Sequence, residues 1–502
     1  MPRALNNHNL SQLPASVKVP GYNRENLTAG IVHVGVGGFH RSHEAFYTDN
    51  YMSETGDTSW GICGVGLREG DRKLQKCLKQ QDYLYSLLIK HPDGQSDVQV
   101  IGCMTDFLMG PDDPTAVINK MAAPETRIVS LTITEGGYNF NQATGEFDFA
   151  NPDVKHDIAH PDSPRLVFGY LAAALKLRKE RGQQPFTVQS CDNIQHNGNV
   201  TRKMLTSYIS AFDEALADWV SAHVSFPNAM VDRITPASTP AVISELRDYG
   251  IEDAWPVTCE PFHQWVIEDS FSTGRPGWER CGAQLVDDVT PYETMKIRLL
   301  NAGHTVLGVS GSLHGFSTID ETVRDPLFAR FLRLFMDKEA TPVLHPVPGI
   351  DLEAYKDTLL ARFANPNIKD HLSRICSESS SKFATFLVPT IKENLAAGGN
   401  VNCAALIVAA WCWYSCYGRD QHGNELEVID AQASRLQQFA QLSKEDPLVF
   451  LRQKEIFGEL ANNAAFTGLY ADYLQRLYSG DTISALMKAV LASAKNSSMN
   501  VS

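Results

Sequence analysis

The 502-residue chain carries 44 Lys and Arg against 58 Asp and Glu, a formal net charge of −14, with 43% apolar and 20% charged residues. This is the composition of a soluble globular protein long enough to bury its own core without disulfides or structural metals. An acidic chain with no long Lys/Arg run lacks the electrostatic footprint that binding a phosphate backbone demands, so no nucleic acid and no membrane surface is expected as a partner. The ten cysteines are scattered from Cys63 to Cys416 without a CxxC pair, and the opening MPRALNNHNLSQLPASVKV is polar. Reduced thiols and a cytoplasmic setting are therefore expected rather than secretion.

Between about residues 30 and 285, short β-branched runs alternate with helical stretches. The runs are IVHVGVG (31–37), GICGVGL (61–67), VQVIGC (98–103), RIVSLTIT (127–134), FTVQSC (186–191) and NAMVDRITP (228–236). Such alternation predicts an α/β domain with a largely parallel sheet. After Pro291 the texture changes to long amphipathic segments, among them Tyr292 to Leu313, Asp325 to Met336, Cys403 to Tyr417 and Ile429 to Leu442. This predicts a mostly α-helical C-terminal domain, with residues 1–287 and 288–502 as the two units. The apolar run from Cys403 to Tyr417 is shorter than the roughly 18 to 20 residues needed to span a bilayer, and reads as a buried helix with Cys412 and Cys416 in the core.

Several segments carry chemistry. Gly35-Val36-Gly37-Gly38-Phe39-His40 follows the first strand, where glycines allow a tight turn and close approach of backbone N–H groups to a pyrophosphate. The third glycine of GxGxxG falls on His40, so a tight loop without ligand is the alternative. The strand 61–67 runs into Arg68-Glu69-Gly70-Asp71-Arg72. A carboxylate there accepts hydrogen bonds from the adenosine ribose and repels a 2′-phosphate, favouring NAD; Arg68 and Arg72 point the other way, as guanidiniums able to hold that phosphate. Thr134 and Glu135, Asn193, and Asp232 each stand at a strand end, where ligands of open α/β sheets bind and where Asn and Asp also simply make turns.

On an ideal helix at about 100° per residue, placing Lys296 at 0° puts Asn301 at about 140°, His304 at about 80° and Leu300 at about 40°. The arc is mixed polar and apolar, as a lined cleft would be, although a solvated face is the plainer reading. Chemically the trio suits alcohol oxidation. Lysine takes the hydroxyl proton as general base, the Asn amide donates to the forming alkoxide, and His304 orients a hydroxyl. Glu293 either tunes that lysine or makes an ordinary i,i+3 ion pair. Finally, Arg374 to Lys382 packs two cations around a hydroxyl-rich turn able to bind a polyol, a carboxylate or a phosphate, or to form a solvated loop.

GVGGFHRSH, SLTITEGGY, SCDNIQHNG, FPNAMVDRITP, MKIRLLNAGH and SSSKF, in this order, resemble the polyol-specific long-chain dehydrogenase/reductase family over essentially the whole chain. The resemblance implies a Rossmann-type N-terminal domain, a helical C-terminal domain, and NAD-dependent, metal-independent interconversion of D-mannitol and D-fructose. It further implies Lys296 as catalytic base and Asn193 and Asn301 as stabilisers of the alkoxide. His304, Asp232, Arg374 and Lys382 would line the polyol site. Asp71, or Glu69 in its place, would help select NAD, with the loop from Gly35 to His40 and Arg41 holding the pyrophosphate. The family leans toward a monomer. A sugar-acid reductase of the same family, with Arg374 or Lys382 clamping a carboxylate, and a catalytically silent sugar- or dinucleotide-binding sensor are the competing functions.

Overall fold

The computed structural model describes residues 2–141 and 145–499. Its N-terminal unit is built on five strands, β1 (Ala29–Val34), β2 (Gly61–Gly66), β3 (Met104–Met109), β4 (Ile128–Leu131) and β5 (Thr187–Ser190). They lie side by side in the order β3-β2-β1-β4-β5, every pair parallel. All residues of β1, β2, β4 and β5 are buried, which is why the first three read as largely apolar runs rather than alternating ones, while β5 buries Thr187, Gln189 and Ser190.

Two of the expected strands belong elsewhere. The run around VQVIGC forms Ser96–Ile101, which pairs antiparallel with Tyr85–Lys90 in a separate four-stranded sheet. Ala229–Asp232 pairs antiparallel with Gln264–Glu268 in a three-stranded sheet. The edge of the parallel sheet is instead β3, MTDFLM, where only Met104, Phe107 and Met109 are buried and the apolar signal is correspondingly thin. Two helices follow β1, the short α1 (Gly38–Ser42) and α2 (Glu44–Thr55).

The chain divides into its two compact units between Thr290 and Pro291, against the 287/288 expected. The second unit is helical. The helix Thr290–Met295 runs through a π-helical turn, Lys296–Asn301, into α3 (Ala302–His314). The central helix α4 (Asn402–Tyr417) is buried nearly all round, Cys412 and Cys416 included, and packs against α5 (Ala464–Tyr478). Its N-terminus is capped from outside: the Glu339 carboxylate accepts from Cys403 N at 2.6 Å and Ala404 N at 2.9 Å. Negative charge is favoured at a helix N-terminus. Burial nevertheless pushes the Glu339 carboxyl up to about 7, against these two bonds. All ten cysteines are free, and among the described residues no helix is long and apolar enough to cross a membrane.

Candidate active site

β1 and β4 are neighbours at the middle of the parallel sheet, and their connections leave toward opposite edges. That makes the loops beyond them the switch point at which open α/β sheets bind ligands. Gly35 sits at φ +95°, and a Cβ there would lie 2.1 Å from the Thr132 carbonyl oxygen, so no other residue fits. The Thr132 hydroxyl ties the two loops by donating to Gly35 O at 2.7 Å. Gly37 and Gly38 are different: a Cβ on either meets nothing closer than 3.6 Å. The backbone there is partly open, a cradle that a side chain would fill and a pyrophosphate can approach. These residues fit a dinucleotide.

The side chains expected to help at this loop face the fold instead. Val36 is buried, and only Phe39 stays partly open, its ring stacked on His43 at 4.8 Å. Arg41 is 2% exposed; its guanidinium is buried beneath the loop, donating to Trp255 O at 2.6 Å and to the loop's own Gly37 O at 3.2 Å. His40 is also buried, stacked on His33 with ring centroids 3.4 Å apart. Both Nδ1 atoms lie against one oxygen of Glu44, at 3.0 and 3.1 Å, and Ser130 Oγ donates to the same oxygen at 2.9 Å. Burial opposes ionisation of Glu44, but the His33 and His40 bonds outweigh it and hold the carboxyl well below its usual range. Burial also lowers His40, to about 4, so that imidazole is neutral at pH 7. This cluster of His33, His40 and Glu44 is the one metal-ligand type grouping among the described residues, and its members already hydrogen-bond one another. Sequence reading misses it because His33 sits inside the apolar run of a strand, where it reads as filler.

Beyond β2, Asp71 Oδ2 accepts from Arg68 N at 3.0 Å, and a Cβ at Gly66 would strike Asp71 Cβ at 2.7 Å. The carboxylate therefore rests on the strand end, where the ribose of a dinucleotide belongs. Glu69 is exposed and paired with Arg72 at 2.6 Å, and Arg72 reaches Asp112 at 2.7 Å.

Beyond β4, Thr134 adopts φ +59°, a left-handed conformation costly for a β-branched residue. Asp192 holds it there. Its buried carboxylate accepts from Thr134 N at 2.8 Å, Ile133 N at 3.0 Å and the Tyr138 hydroxyl at 2.7 Å, linking the ends of β4 and β5. Thr134 and Glu135 are left exposed on the loop, and Asn193 is exposed one residue beyond Asp192. Asn197 is structural: fully buried, it bonds Asp192 O and Ala229 O at 3.0 and 2.8 Å. Asp232 is 4% exposed and ends the strand opposite Gln264.

In the C-terminal unit, Lys296 and Asn301 are the first and last residues of the π-helical turn, and both are 7% exposed. Bonds there run i→i+5, so residues five apart stand one turn above each other instead of about 140° apart. The Asn301 Nδ2 is buried without a hydrogen-bond partner among the described residues, a donor held in reserve. Glu293 is also buried, three residues before Lys296. The His304 ring packs tilted against Phe363, centroids 4.4 Å apart, and Arg298 turns to Glu393 at 2.7 Å.

The segment 374–382 is less open to ligand than its composition suggests. Arg374 is exposed and clamped on Asp370, with Nε 2.6 Å from Oδ1. Lys382 Nζ donates to Ile375 O at 2.9 Å and Arg374 O at 3.3 Å, using two of its three protons; burial lowers its pKa. Ser379 and Ser380 are buried, and their hydroxyls donate to Asp430 at 3.1 and 2.8 Å. These hydroxyls hold the fold together.

Residues 29–280 match the mannitol dehydrogenase Rossmann domain and residues 288–478 the mannitol dehydrogenase C-terminal domain. A mannitol 2-dehydrogenase of Pyrenophora tritici-repentis is 45% identical over 460 residues, 91% of this chain and 80% of that one. One of Pyricularia oryzae is 44% identical over 455 residues, 89% and 90% of the two chains. Among solved structures, Pseudomonas fluorescens mannitol 2-dehydrogenase in ternary complex with NAD and D-mannitol superimposes with a TM-score of 0.89 at 47% identity, covering 98% of this chain and 100% of that one. A D-sorbitol dehydrogenase in substrate-free form gives 0.87 at 37% identity, covering 96% and 100%.

Proposed function

The chain belongs to the mannitol dehydrogenase family, and from that premise we propose that it is an NAD-dependent polyol dehydrogenase interconverting D-mannitol and D-fructose. The observation that carries this reading is the π-helical turn, which stacks a buried lysine and a buried asparagine with an unspent amide one turn apart. NAD, when bound, accepts the hydride from the carbinol carbon.

The chain's own residues do the rest. Lys296 takes the hydroxyl proton, doing the work a Lewis acid does in metal-dependent chemistry, so the reaction is proposed to run without a metal. Asn301 donates its free N–H to the oxygen as negative charge develops, and Asn193 is assigned the second amide. His304, oriented by its packing against Phe363, holds a neighbouring hydroxyl, as does Asp232. Lys382 contributes the proton its two carbonyl partners leave over. The open backbone of Gly37 and Gly38 takes the pyrophosphate, with Asp71 at the ribose and Thr134 and Glu135 alongside.

The sugar-acid alternative needs a cation to clamp a carboxylate, and Arg374 is already paired with Asp370, whose charge opposes a second carboxylate there. The monomer is taken as the working unit, and the ten free cysteines support a reducing cytoplasmic setting. The test is NADH absorbance with the purified chain after dialysis against a chelator. D-mannitol should give sustained turnover and fructose should be reduced in preference to fructuronate. Faster reduction of fructuronate would transfer the assignment to a sugar-acid reductase, and NAD binding without turnover on any polyol would make the protein a sensor.

A further inference from the structure

We propose that Asp112 makes the chain select NAD over its 2′-phosphorylated counterpart by keeping Arg72 from binding that phosphate; this rests on the dinucleotide reading above. In dinucleotide-binding sheets an acidic residue at this strand end serves the ribose 2′-hydroxyl, and an arginine nearby accommodates a 2′-phosphate. Here both residue types stand within five positions, and the structure shows which is in command. Arg72 Nε and Nη2 donate to the two oxygens of Glu69 at 2.6 and 2.9 Å, while Nη1 and Nη2 donate to the two oxygens of Asp112 at 2.7 and 2.9 Å.

A guanidinium has five N–H donors in one plane, and four of these are committed. A phosphate seeking a bidentate grip finds no free edge. Charge acts in the same direction: the Glu69 and Asp112 carboxylates that hold Arg72 also offset its charge at this strand end. Asp112 is the decisive member because it comes from outside the loop. It follows β3, the edge strand beside β2, forty residues along the chain from Arg72. Arg68 is exposed and forms no ion pair among the described residues, so it stands ready as the second half of a phosphate grip once Arg72 is released.

Asp112 is a positioning residue, and its test reads binding as well as turnover. Wild type, Asp112→Asn and Asp112→Asn/Arg72→Ala would be titrated calorimetrically with adenosine 5′-monophosphate and adenosine 2′,5′-bisphosphate, and then with NAD and NADP. Asp112→Asn should bind the bisphosphate roughly fivefold more tightly while the monophosphate stays within about twofold, with the gain shrinking in high salt. The second substitution should abolish the gain. Unchanged discrimination in Asp112→Asn, or a gain that survives loss of Arg72, overturns the inference while leaving the NAD reading intact. Wild type that binds neither NAD nor the monophosphate overturns both. Retained monophosphate affinity serves as the check that the variants are folded.

Discussion

Around Gly35 the N-terminal unit clears side chains out of the way, whereas around Lys296 the C-terminal unit packs reactive ones together. The first region works through backbone: Gly35 is pressed against Thr132 O, while Gly37 and Gly38 leave open space above the main chain. The nearby histidine and arginine are turned inward. The second works through side chains carried on one helix whose turn is loosened by a residue. The contrast teaches that holding a large anionic cofactor asks for unencumbered N–H groups, while moving a proton asks for two or three groups at fixed spacing.

Substitutions should therefore separate the two regions. Lys296→Ala should lower turnover about 10³- to 10⁴-fold with NAD affinity nearly kept, measured by steady-state rates beside fluorescence titration of NAD. Near-normal turnover would break the assignment of the base. Asn301→Ala should cost about 10²- to 10³-fold in kcat, again with little change in NAD binding, as loss of one donor to a developing oxyanion does. Gly35→Ala should do the reverse. At φ +95° and 2.1 Å from a carbonyl oxygen, a methyl group forces the loop to move, costing about 3 kcal/mol of stability and most of the NAD affinity. Thermal melts read with and without NAD check this, and a variant that binds NAD normally would undo the backbone account of the site.

The sharpest separation is in acid and base. In the N-terminal unit the Glu44 carboxyl is held well below its ordinary 4.5, so its contribution is present at neutral pH and lost as pH falls below about 4.5. In the C-terminal unit Glu339 is raised from 4.5 to about 7. The folded state there keeps a proton that the unfolded chain has lost, so its contribution falls as pH rises from about 4.5 to about 7 and is level above. The full change is about 3 kcal/mol. Denaturation midpoints measured from pH 4 to pH 8 should flatten over that window in Glu339→Gln; an unaltered profile would remove Glu339 as the cause.

Much of this is legible in the residues. The short runs at 31–37, 61–67, 127–134 and 186–191 announce strands because parallel strands covered on both faces favour apolar and β-branched residues. Which sheet a strand joins is another matter. Ser96–Ile101 and Ala229–Asp232 have the right texture and the wrong neighbours, since pairing is decided by long-range contacts. The strand β3 hides behind Thr105 and Asp106, as an edge strand can. At the site, the glycines announce their loop, and Lys296 and Asn301 suggest the chemistry proposed for them. The His40 and Arg41 side chains turn into the fold, and proximity in sequence to a ligand loop says nothing about which way a side chain turns. Asp112 escapes notice because its partner lies forty residues away. An ideal α-helix sets Lys296 and Asn301 on different sides of their arc, and nothing in KIRLLN signals the π-helical turn that aligns them.

That turn has a consequence for how the helix tolerates change in length. One residue more than the α-helix needs is stored between Met295 and Ala302, and it sets the rotational phase of everything downstream relative to Lys296. Deleting a single apolar residue inside the turn would let the segment relax into a regular α-helix, with hydrogen bonding and burial largely intact. The same deletion would leave His304 in nearly the same phase relative to the lysine, whereas a regular α-helix through all the residues would turn it by about 100° around the axis. The surplus residue is thus taken up locally by the π-helical turn, which brings Asn301 and His304 into phase with Lys296 while the helix on either side stays regular.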